Sequence, residues 1–263
     1  LDNVMNDFIE RAPDEFAHAK YSAMRERSVG LGVMGLHSYF QQKNIPFGSV
    51  MSKVWNKKIF KNIQEKVDAA SVSLAEERGA CPDAKEYGIK ERFSNKTAIA
   101  PTASISIICG GSSPGIEPIA ANSYTHKTLS GSFNVRNKYL KKVLQKYTKD
   151  TDEVWSTITT NQGSVAHLDF LTAEEKDIFK TAFEIDQRWI VELGADRTPH
   201  ISQAQSINIF IPADIHKKEL HNIHFQAWKK GLKSLYYCRS KSIQRAENVN
   251  EGSSTDVKKN VYS

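Results

Sequence analysis

The sequence has few cysteines and lacks any hydrophobic run long enough to cross a membrane. Its three cysteines, Cys81, Cys109 and Cys238, lie far apart among 263 residues and form no C-x-x-C pair. That spacing argues against a zinc ribbon and a disulfide scaffold, and it is typical of unreactive thiols. A transmembrane helix needs about 20 consecutive apolar residues, and no stretch approaches this length. We therefore expect a cytoplasmic protein that has no membrane partner.

Further absences narrow the class of protein. The N-terminal residues are acidic and lack the basic and then apolar order of a signal peptide, and the chain begins with Leu1 rather than Met. This start indicates a processed chain or a piece of a longer one. No G-x-S-x-G elbow is present, so a Ser-His-Asp hydrolase has no support. His216, His221 and His224 fall on one predicted helix, but carboxylate and thiol ligands at suitable spacing are missing, so we predict no metal site.

The positive charge is concentrated near the C-terminus. The chain carries 36 Lys and Arg against 30 Asp and Glu, which gives a net charge of +6. Residues 216–245, here termed the basic patch, hold eight Lys and Arg against Glu219 alone. Such a patch can bind nucleic acid, a phosphorylated small molecule or an acidic protein segment, and composition does not choose among them. The patch also contains Phe225 and Trp228, and we expect Trp228 to lie in a helix core.

Hydrophobic periodicity predicts alternating helices and strands. A long amphipathic helix over residues 57–78 is expected to end at Gly79, and a helix over residues 171–193 begins with the capping box Thr172 and Glu175. The other predicted elements are a hairpin turn at 130–132, a strand at 206–211, a helix that Pro212 and Asp214 open and that reaches Leu232, and a strand that carries Tyr236 and Tyr237. This alternation predicts an α/β architecture.

Three glycines satisfy the dinucleotide-binding pattern G-x-G-x-x-G: Gly30, Gly32 and Gly35. The pattern follows a polar stretch rather than an apolar strand, and no strand that ends in an acidic residue follows about twenty residues later. We therefore interpret these glycines as residues that permit close packing in a helix or a turn, and not as a cofactor site.

Residues 101–105 have the composition of an anion-binding turn. Residues 97–100 predict a short strand, Pro101 ends it, and Thr102 and Ser104 follow as small hydroxyl residues. A strand that leads into such a turn leaves backbone N–H groups free to surround an anion. An ordinary loop capped by Thr102 or Ser104 accounts for the same residues, so this chemistry leaves both interpretations open.

Tyr236 and Tyr237 stand next to each other in the predicted strand that follows the basic helix. Neighbouring side chains of a strand point to opposite faces, so two successive tyrosines would not normally share one environment. Tyr is also a good strand former that is often half buried with its hydroxyl bonded. A structural role and a special chemical role are therefore both open on spacing alone.

Four stretches, taken in order, resemble the C-terminal part of the large, catalytic subunit of aerobic, class I ribonucleotide reductase. They are RSVGLGVMGL, KTAIAPTASISIICGGSSPGIEP, DQRWIVELGADRTPHISQAQSINIF and AWKKGLKSLYYCRS. The resemblance extends over roughly residues 1–245. It implies the C-terminal half of that family's ten-stranded α/β barrel, incomplete without an N-terminal partner. Residues 246–263 are polar and contain Gly and Ser, and we expect them to form a flexible tail.

The resemblance also implies an activity and assigns residues to it. In that family two stacked tyrosines relay a radical from the small subunit to an active-site cysteine, and this role falls on Tyr236 and Tyr237. The implied reaction converts ribonucleoside diphosphates to 2'-deoxyribonucleoside diphosphates by radical chemistry, for DNA synthesis. The loop that binds the substrate diphosphate would consist of Pro101, Thr102, Ala103, Ser104 and Ile105.

The same resemblance implies partners. The family's radical-bearing cysteine belongs to a segment upstream of Leu1, and Cys109 and Cys238 do not occupy the family's redox positions. This chain is therefore expected to hold no cofactor and to pair with an N-terminal large-subunit polypeptide, as a split subunit or a truncated product. A small subunit would carry a di-iron and tyrosyl radical centre and would dock its acidic C-terminal peptide near the basic helix. Thioredoxin or glutaredoxin would supply reducing equivalents.

Two hypotheses of different classes follow from these expectations. In the first, the chain is a reductase component that is inactive alone and supplies the substrate loop and the radical relay. In the second, it is a non-catalytic binding protein derived from the same barrel, which uses the basic helix to hold a partner peptide or nucleic acid. A protein partner fits the basic patch better than nucleic acid, because the sequence has no recognisable nucleic-acid reader motif.

Overall fold

A computed structural model describes residues 1–128 and 131–241 of the chain. The predicted tail, residues 246–263, lies outside the described residues, as does Ser130 of the predicted hairpin turn. Helices make up about half of the described residues. They are α1 (Asp2–Arg11), α2 (Ala17–Glu26), α3 (Leu36–Gln42), α4 (Val50–Arg78), α5 (Pro82–Glu86), α6 (Ile105–Ile108), α7 (Lys138–Lys146), α8 (Asp152–Thr160), α9 (Ala173–Ile178), α10 (Gln187–Arg197) and α11 (Lys217–Lys229), with 3₁₀ turns at Asp14–Phe16 and Thr198–His200.

The strands form two separate pairings. β1 (Ser123–Thr128) and β2 (Gly131–Arg136) are antiparallel, and Gly131 and Ser132 of the predicted hairpin turn lie in β2. β3 (Ile209–Ile211) pairs in parallel with β4 (Cys238–Ser240). Helix and strand therefore alternate as predicted, although the described strands are short.

β3 and β4 belong to a longer parallel arrangement of four extended segments, here termed the parallel array. Residues 29–32 pair in parallel with residues 95–100 through the Leu31–Thr97 bridge, and residues 95–100 pair with residues 203–211 through the Ile99–Gln205 bridge. Residues 203–211 then pair with residues 236–240. Each connection between successive segments contains helices, as parallel pairing requires. The array is an open, incomplete barrel.

The long helix α4 confirms the sequence prediction at its C-terminal end but not at its N-terminal end. Ser49 caps its first turn by accepting a hydrogen bond from the Ser52 backbone N–H, and the Ser52 hydroxyl closes the capping box. Gly79 ends the helix with a φ of +85°, a conformation that suits glycine. α4 begins at Val50, earlier than the apolar periodicity alone indicates.

The single helix predicted over residues 171–193 is wrong: the chain forms α9, a turn and α10. The capping box of Thr172 and Glu175 is present, but a second set of local bonds follows, in which the Glu184 carboxylate accepts hydrogen bonds from the backbone N–H and the hydroxyl of Thr181. Asp186 then caps α10 by accepting from the Arg188 backbone N–H. Local side-chain bonds of this kind compete with helix continuation, so the periodic pattern breaks in its middle.

Two hydrophobic cores explain why the chain turns at this point. Ile178 and Phe179 pack with Leu140, Trp155 and Ile158 in the smaller core, which α7, α8 and α9 surround. The next apolar residues belong to the larger core, which α3, α4, α10 and the parallel array share; they include Ala182, Ile185, Ile190 and Leu193. A straight helix could not place both sets of side chains in their own core.

The helix predicted to open at Pro212 and Asp214 begins later, at Lys217. His216 is its N-cap, and its Nδ1 accepts a hydrogen bond from the Lys218 backbone N–H. Pro212 instead belongs to a turn in which the Ile215 N–H donates to the Pro212 carbonyl. The Pro and Asp signals therefore mark the turn before the helix rather than its first residues.

A fully buried arginine joins the parallel array to the long helix. The Arg197 guanidinium donates to Gln205 Oε1 at 2.6 Å and to Asn56 Oδ1 at 3.1 Å. Burial lowers its pKa to about 9, against the opposing charge of Asp196. The arginine fixes the third segment of the array, on which Gln205 lies, against α4.

A second buried ionic group ties α1 to the rest of the fold. Asp2 accepts hydrogen bonds from Arg27, Arg78 and Arg92, with nitrogen to carboxylate oxygen distances of 2.7 to 3.3 Å. Arg92 also donates to the carbonyl of Gly79, at the end of α4. One carboxylate thus holds together three segments that are distant in sequence.

Gly163→Ala is expected to destabilise the chain by about 2–3 kcal/mol more than Gly88→Ala. Both glycines have positive φ, +81° and +69°, so both variants incur the left-handed cost of roughly 1–2 kcal/mol. A Cβ at Gly163 would lie 2.3 Å from the Cβ of Ala121, whereas no described atom lies within 4 Å at Gly88. Denaturant unfolding of the two variants checks the difference, and equal losses would show that residues 121–122 move aside.

Among the helices of the described residues, none combines the length and the apolar character that crossing a membrane requires.

Candidate functional site

Tyr236 and Tyr237 share one environment, which simple strand alternation does not predict. Their ring centroids lie 4.1 Å apart with an angle of 49° between the planes. The Tyr236 hydroxyl donates a hydrogen bond to the Tyr237 hydroxyl at 3.4 Å. About half of each side chain is exposed. The structure therefore presents two phenols in direct contact at the surface of the described chain.

A bulge in the parallel array brings the two rings to the same side. The Tyr236 N–H donates to the Ile207 carbonyl, and the Ile209 N–H donates to the Tyr237 carbonyl. Two residues of one segment therefore lie opposite Asn208 alone, which is the definition of a β-bulge. The displaced N–H of Tyr237 donates instead to the Asn208 side-chain oxygen at 3.0 Å. Asn208 is completely buried. Its side-chain oxygen takes the place of the backbone carbonyl that would accept this hydrogen bond in a regular strand pairing.

The electrostatic surroundings of the pair are positive. The Arg239 guanidinium lies 5.9 Å from the centroid of the Tyr237 ring. The hydrogen bond to Tyr237, together with the charge that this second phenol can carry, raises the pKa of Tyr236. Tyr236 is therefore protonated at neutral pH, the form in which a phenol can lose an electron and a proton together.

The loop over residues 101–105 is held in a strained conformation. Thr102 has a φ of +53°, which is uncommon for a β-branched residue and costs of order 1–3 kcal/mol. Its hydroxyl accepts a hydrogen bond from the Gly115 N–H at 2.7 Å, and its carbonyl accepts one from the Ser106 N–H. These two contacts fix the start of the loop, and the first joins it to the glycine-rich residues 110–115.

The next three residues of the loop, Ala103, Ser104 and Ile105, are exposed. Their backbone N–H groups have no acceptor within the described ranges. The Ser104 side chain caps no N–H of α6, so the capped-loop alternative fails for Ser104, whereas Thr102 does bond to the loop. Adjacent free N–H groups of this kind suit an anion.

The third segment of the parallel array lies between the loop and the tyrosine pair. The Ser206 N–H donates to the Ile99 carbonyl, two residues before Pro101, and the Tyr236 N–H donates to the Ile207 carbonyl. Ser206 and Ile207 are adjacent in the third segment. Ser206 bonds to the segment that ends at the loop, and Ile207 bonds to the segment that carries the tyrosines. The structure brings together the two groups of residues that the sequence analysis singled out.

The glycines of the G-x-G-x-x-G pattern pack against the second segment of the array. A Cβ at Gly32 would lie 2.5 Å from the Ala98 carbonyl oxygen, and one at Gly30 would lie 3.1 Å from the Ala98 Cβ. Gly35 has a φ of +82° and is the N-cap of α3. Close packing is the observed role, although Gly30 and Gly32 lie in extended backbone rather than in a helix or turn.

The basic patch is partly used within the fold. Lys230 pairs with Glu192 at 2.7 Å, and Lys233 donates to three backbone carbonyls. The expectation that Trp228 lies in a helix core is wrong: Trp228 is 73% exposed, and its ring packs on Phe225 at a centroid distance of 5.5 Å. The apolar side of α11 instead buries Ile223 and Ala227, so Trp228 extends from the opposite side.

His221 and His224 contact other residues of the same helix, α11. His224 Nδ1 lies 2.9 Å from the Leu220 carbonyl, and His221 stacks on Phe225. Across the described ranges no three His, Cys, Asp or Glu side chains converge as metal ligands would. Cys81 is buried, while Cys109 and Cys238 are exposed, and burial raises the pKa of the Cys238 thiol.

Sequence reasoning did not identify two buried polar residues near the tyrosines, Asn208 and Glu117. Asn208 stands within the apolar strand pattern of residues 206–211, where a polar residue that points inward is a signal in itself. Glu117 directly precedes Pro118, in a stretch for which the sequence predicted no helix or strand. Both are at least nine-tenths buried, and neither could be placed without the pairing of the parallel array.

Comparisons with known proteins give one consistent family. A family model described as "Ribonucleotide reductase, barrel domain" matches residues 2–91 and 82–238. The chain is 47% identical over 253 residues to a ribonucleoside-diphosphate reductase large subunit of Invertebrate iridescent virus 6, a match that covers 95% of this chain and 26% of the relative. A large subunit of Caenorhabditis elegans is 34% identical over 259 residues, 87% of this chain and 33% of the relative.

A solved structure agrees with these matches. The Actinobacillus ureae class Id ribonucleotide reductase alpha subunit superimposes with a TM-score of 0.86 at 40% sequence identity, over 94% of this chain and 46% of that one. The chain therefore spans less than half the length of each of these three relatives. The parallel array is the part of the molecule to which further strands would be added to close a barrel.

Proposed function

The chain belongs to the ribonucleotide reductase large-subunit family, and on this basis we propose that it forms part of the catalytic barrel of a ribonucleoside-diphosphate reductase. Residues 1–245 are the barrel portion in this proposal. The reaction would convert ribonucleoside diphosphates to 2'-deoxyribonucleoside diphosphates by radical chemistry. The observation that carries the proposal is the contact between Tyr236 and Tyr237 at the bulge, because an ordinary strand does not bring two successive phenols together.

The two phenols are suited to a radical relay. Each can lose an electron and its hydroxyl proton, and the 3.4 Å separation of the hydroxyl oxygens allows the proton to pass as the electron does. Tyr236 and Tyr237 would carry a radical between a small subunit with its di-iron and tyrosyl radical centre and a cysteine of another large-subunit segment. The exposure of both rings leaves room for such a segment to cover them.

The loop of Pro101, Thr102, Ala103, Ser104 and Ile105 would bind the diphosphate of the substrate. Its support is the set of exposed N–H groups at Ala103, Ser104 and Ile105 and the fixed conformation of Thr102. Backbone donors that point at an anion need no reorganisation when it binds. The substrate phosphates and the tyrosine pair would then lie on either side of residues 206–207.

Ser104→Asp tests the loop. A carboxylate beside the N–H groups of the loop repels the substrate diphosphate, so we expect KM to rise by about tenfold or more while the fold is kept, since Ser104 is exposed. Ser104→Ala keeps the backbone donors and is the matched control, with an expected change in KM below about threefold. An unchanged KM in Ser104→Asp would place the phosphates elsewhere.

The remaining partners follow from the same proposal. Other large-subunit segments would supply the radical-bearing cysteine and complete the barrel, and thioredoxin or glutaredoxin would supply electrons. The acidic C-terminal peptide of the small subunit would meet α11, along which Lys217, Lys218, Trp228 and Lys229 are exposed. Exposed aromatic and basic side chains together favour an acidic peptide with apolar residues.

The experiment that tests the proposal is ribonucleoside-diphosphate reduction by the chain alone, and then with the remaining large-subunit segments and the small subunit. Dithiothreitol replaces thiols that these components lack. We expect turnover only in the full mixture. A mixture that assembles but does not reduce the substrate would contradict the proposal and favour the binding-protein alternative, which the 73% exposure of Trp228 beside basic residues also supports.

A further inference from the structure

The hydrogen bond from the Tyr237 N–H to the Asn208 side chain departs from a regular parallel pairing. In a regular pairing that contains the bond from the Ile209 N–H to the Tyr237 carbonyl, the Tyr237 N–H would donate to the Ile207 carbonyl. Here the Tyr236 N–H donates to that carbonyl, and Asn208 Oδ1 accepts the Tyr237 N–H at 3.0 Å. One side chain therefore supplies the acceptor that the bulge would otherwise lack.

The Asn208 side chain is held in a buried position. Its exposed fraction is 0%, and Ile207, Ile209 and Phe210 beside it in the third segment are buried in the larger core. Within residues 1–128 and 131–241, its Nδ2 has no hydrogen-bond partner, and its Oδ1 bonds to the Tyr237 N–H. A buried amide with an unsatisfied donor is costly. The contribution of Asn208 to this region therefore comes from its oxygen.

The bulge decides whether the two phenols meet. Successive side chains of a regular strand point to opposite faces, whereas the rings of Tyr236 and Tyr237 lie 4.1 Å apart. A return to the regular pairing would shift one end of the segment by one residue and turn one ring away from the other. Residues 230–235, which precede the tyrosines, belong to no helix or strand, so they can take up such a shift. The contact between the rings thus depends on the register that the bulge sets.

We infer that Asn208 is a positioning residue for the tyrosine pair: its side-chain oxygen holds the bulge, and the bulge holds the two phenols in contact. The inference rests on the proposed function, because this contact matters to turnover only if the pair carries the radical. In this role Asn208 acts through the backbone of Tyr237 and takes no part in the transfer of the electron or the proton.

The first test is the separation of the two rings. Asn208→Leu removes the acceptor and is similar in shape to asparagine. A structure of the assembled reductase with this variant, determined by cryo-electron microscopy, is expected to show the ring centroids more than about 7 Å apart, beyond the range of aromatic contact. Asn208→Asp keeps an acceptor oxygen and should keep the separation near 4.1 Å. Rings that stay in contact in Asn208→Leu, or that separate in Asn208→Asp, would overturn the inference.

Turnover per assembled complex distinguishes positioning from a general loss of stability. Asn208→Leu is expected to lower kcat by at least about 100-fold and to change the KM for the ribonucleoside diphosphate by less than about twofold. Asn208→Asp should restore kcat to within about tenfold of the wild type. A smaller amount of complex with an unchanged kcat in Asn208→Leu would show a purely structural role and contradict the inference.

Ser71→Ala is the matched control. The Ser71 side chain is also completely buried, and its hydroxyl accepts hydrogen bonds from the backbone N–H groups of Arg92 and Phe93 at 3.2 and 3.4 Å. It lies on α4, outside the parallel array. We expect its kcat to be within about twofold of the wild type. Losses of kcat that are equal in Ser71→Ala and Asn208→Leu would mean that any buried acceptor has this effect, and the inference would fail.

Asn208→Ala replaces Asn208→Leu if the latter does not assemble, because alanine removes the acceptor without adding bulk, and the same outcomes apply. The measurement of ring separation needs no turnover. A wild-type assembly that is inactive would therefore count against the proposed function, while the separation of the rings still decides whether Asn208 positions them.

Discussion

Tyr237→Phe is expected to abolish ribonucleoside-diphosphate reduction in the assembled enzyme, with kcat lowered by at least about 10³-fold. Phenylalanine keeps the ring that packs on Tyr236 but has no hydroxyl hydrogen to lose, so the relay is broken while the contact is largely kept. Tyr236→Phe is expected to give the same loss. The measurement is kcat for each variant under saturating substrate, together with the amount of complex that forms.

Tyr147→Phe is the matched control for both tyrosine variants. Tyr147 is also partly exposed, and its hydroxyl donates a hydrogen bond to Glu175 at 2.9 Å, far from the bulge. We expect turnover within about twofold of the wild type. Substantial activity in Tyr237→Phe, with normal assembly, would mean that the paired phenols are structural.

Asp2→Asn is expected to destabilise the chain by about 3–5 kcal/mol, the largest effect on stability that we predict. The substitution removes the charge that Arg27 and Arg92 share in a buried site, where each side chain is no more than a tenth exposed. Loss of one partner leaves these guanidinium groups without compensation. Denaturant unfolding compares the variant with the wild type at neutral pH.

The same group gives the stability a defined pH dependence. Burial raises the pKa of Asp2, but hydrogen bonds from Arg92, Arg27 and Arg78 outweigh burial and lower it to about 2, below the usual value of 3.8. The folded state therefore binds this proton less readily than the unfolded state. The stabilisation is present above about pH 4 and is lost as the pH falls towards 2. The difference between the wild type and Asp2→Asn should narrow over that range.

Asp7→Asn provides the control for this prediction. Asp7 lies on the same helix and pairs with Arg11 at 2.9 Å, but both side chains are more than half exposed. An exposed pair of this kind contributes only about 0.3–0.5 kcal/mol. A loss in Asp2→Asn as small as the loss in Asp7→Asn would show that water reaches the arginine cluster.

The sequence predicts a helix correctly where all of its buried residues face a single hydrophobic core. α4 follows this rule over residues 57–78, where its periodic apolar residues and the stop signal at Gly79 agree. The prediction failed at residues 179–186 because their apolar residues serve two cores in turn. Periodicity reports that a residue is buried, but it does not report which core receives it.

The site was predictable in its residues and not in its geometry. The loop and the tyrosines carried signals of composition and of resemblance, whereas their proximity depends on a third segment that is remote in sequence from the loop. Trp228 was misplaced because an aromatic residue at helical spacing is usually core, and here it lies on the solvent side of α11. Asn208 and Glu117 were missed because a bulge and a fixed loop, rather than a pattern, give them their positions.

The parallel array also determines when this molecule can fold. Its second segment bonds to its third across 106 positions of sequence, as the hydrogen bond from the Gln203 N–H to the Thr97 carbonyl shows, while the smaller core closes between Leu140 and Phe179. Contacts between distant residues form slowly because a long loop must close first. During synthesis the smaller core can therefore form before the third segment, with which the second segment pairs, has left the ribosome. Tyr236 and Tyr237 are synthesised after the third segment, and the bulge forms only when they pair with that segment.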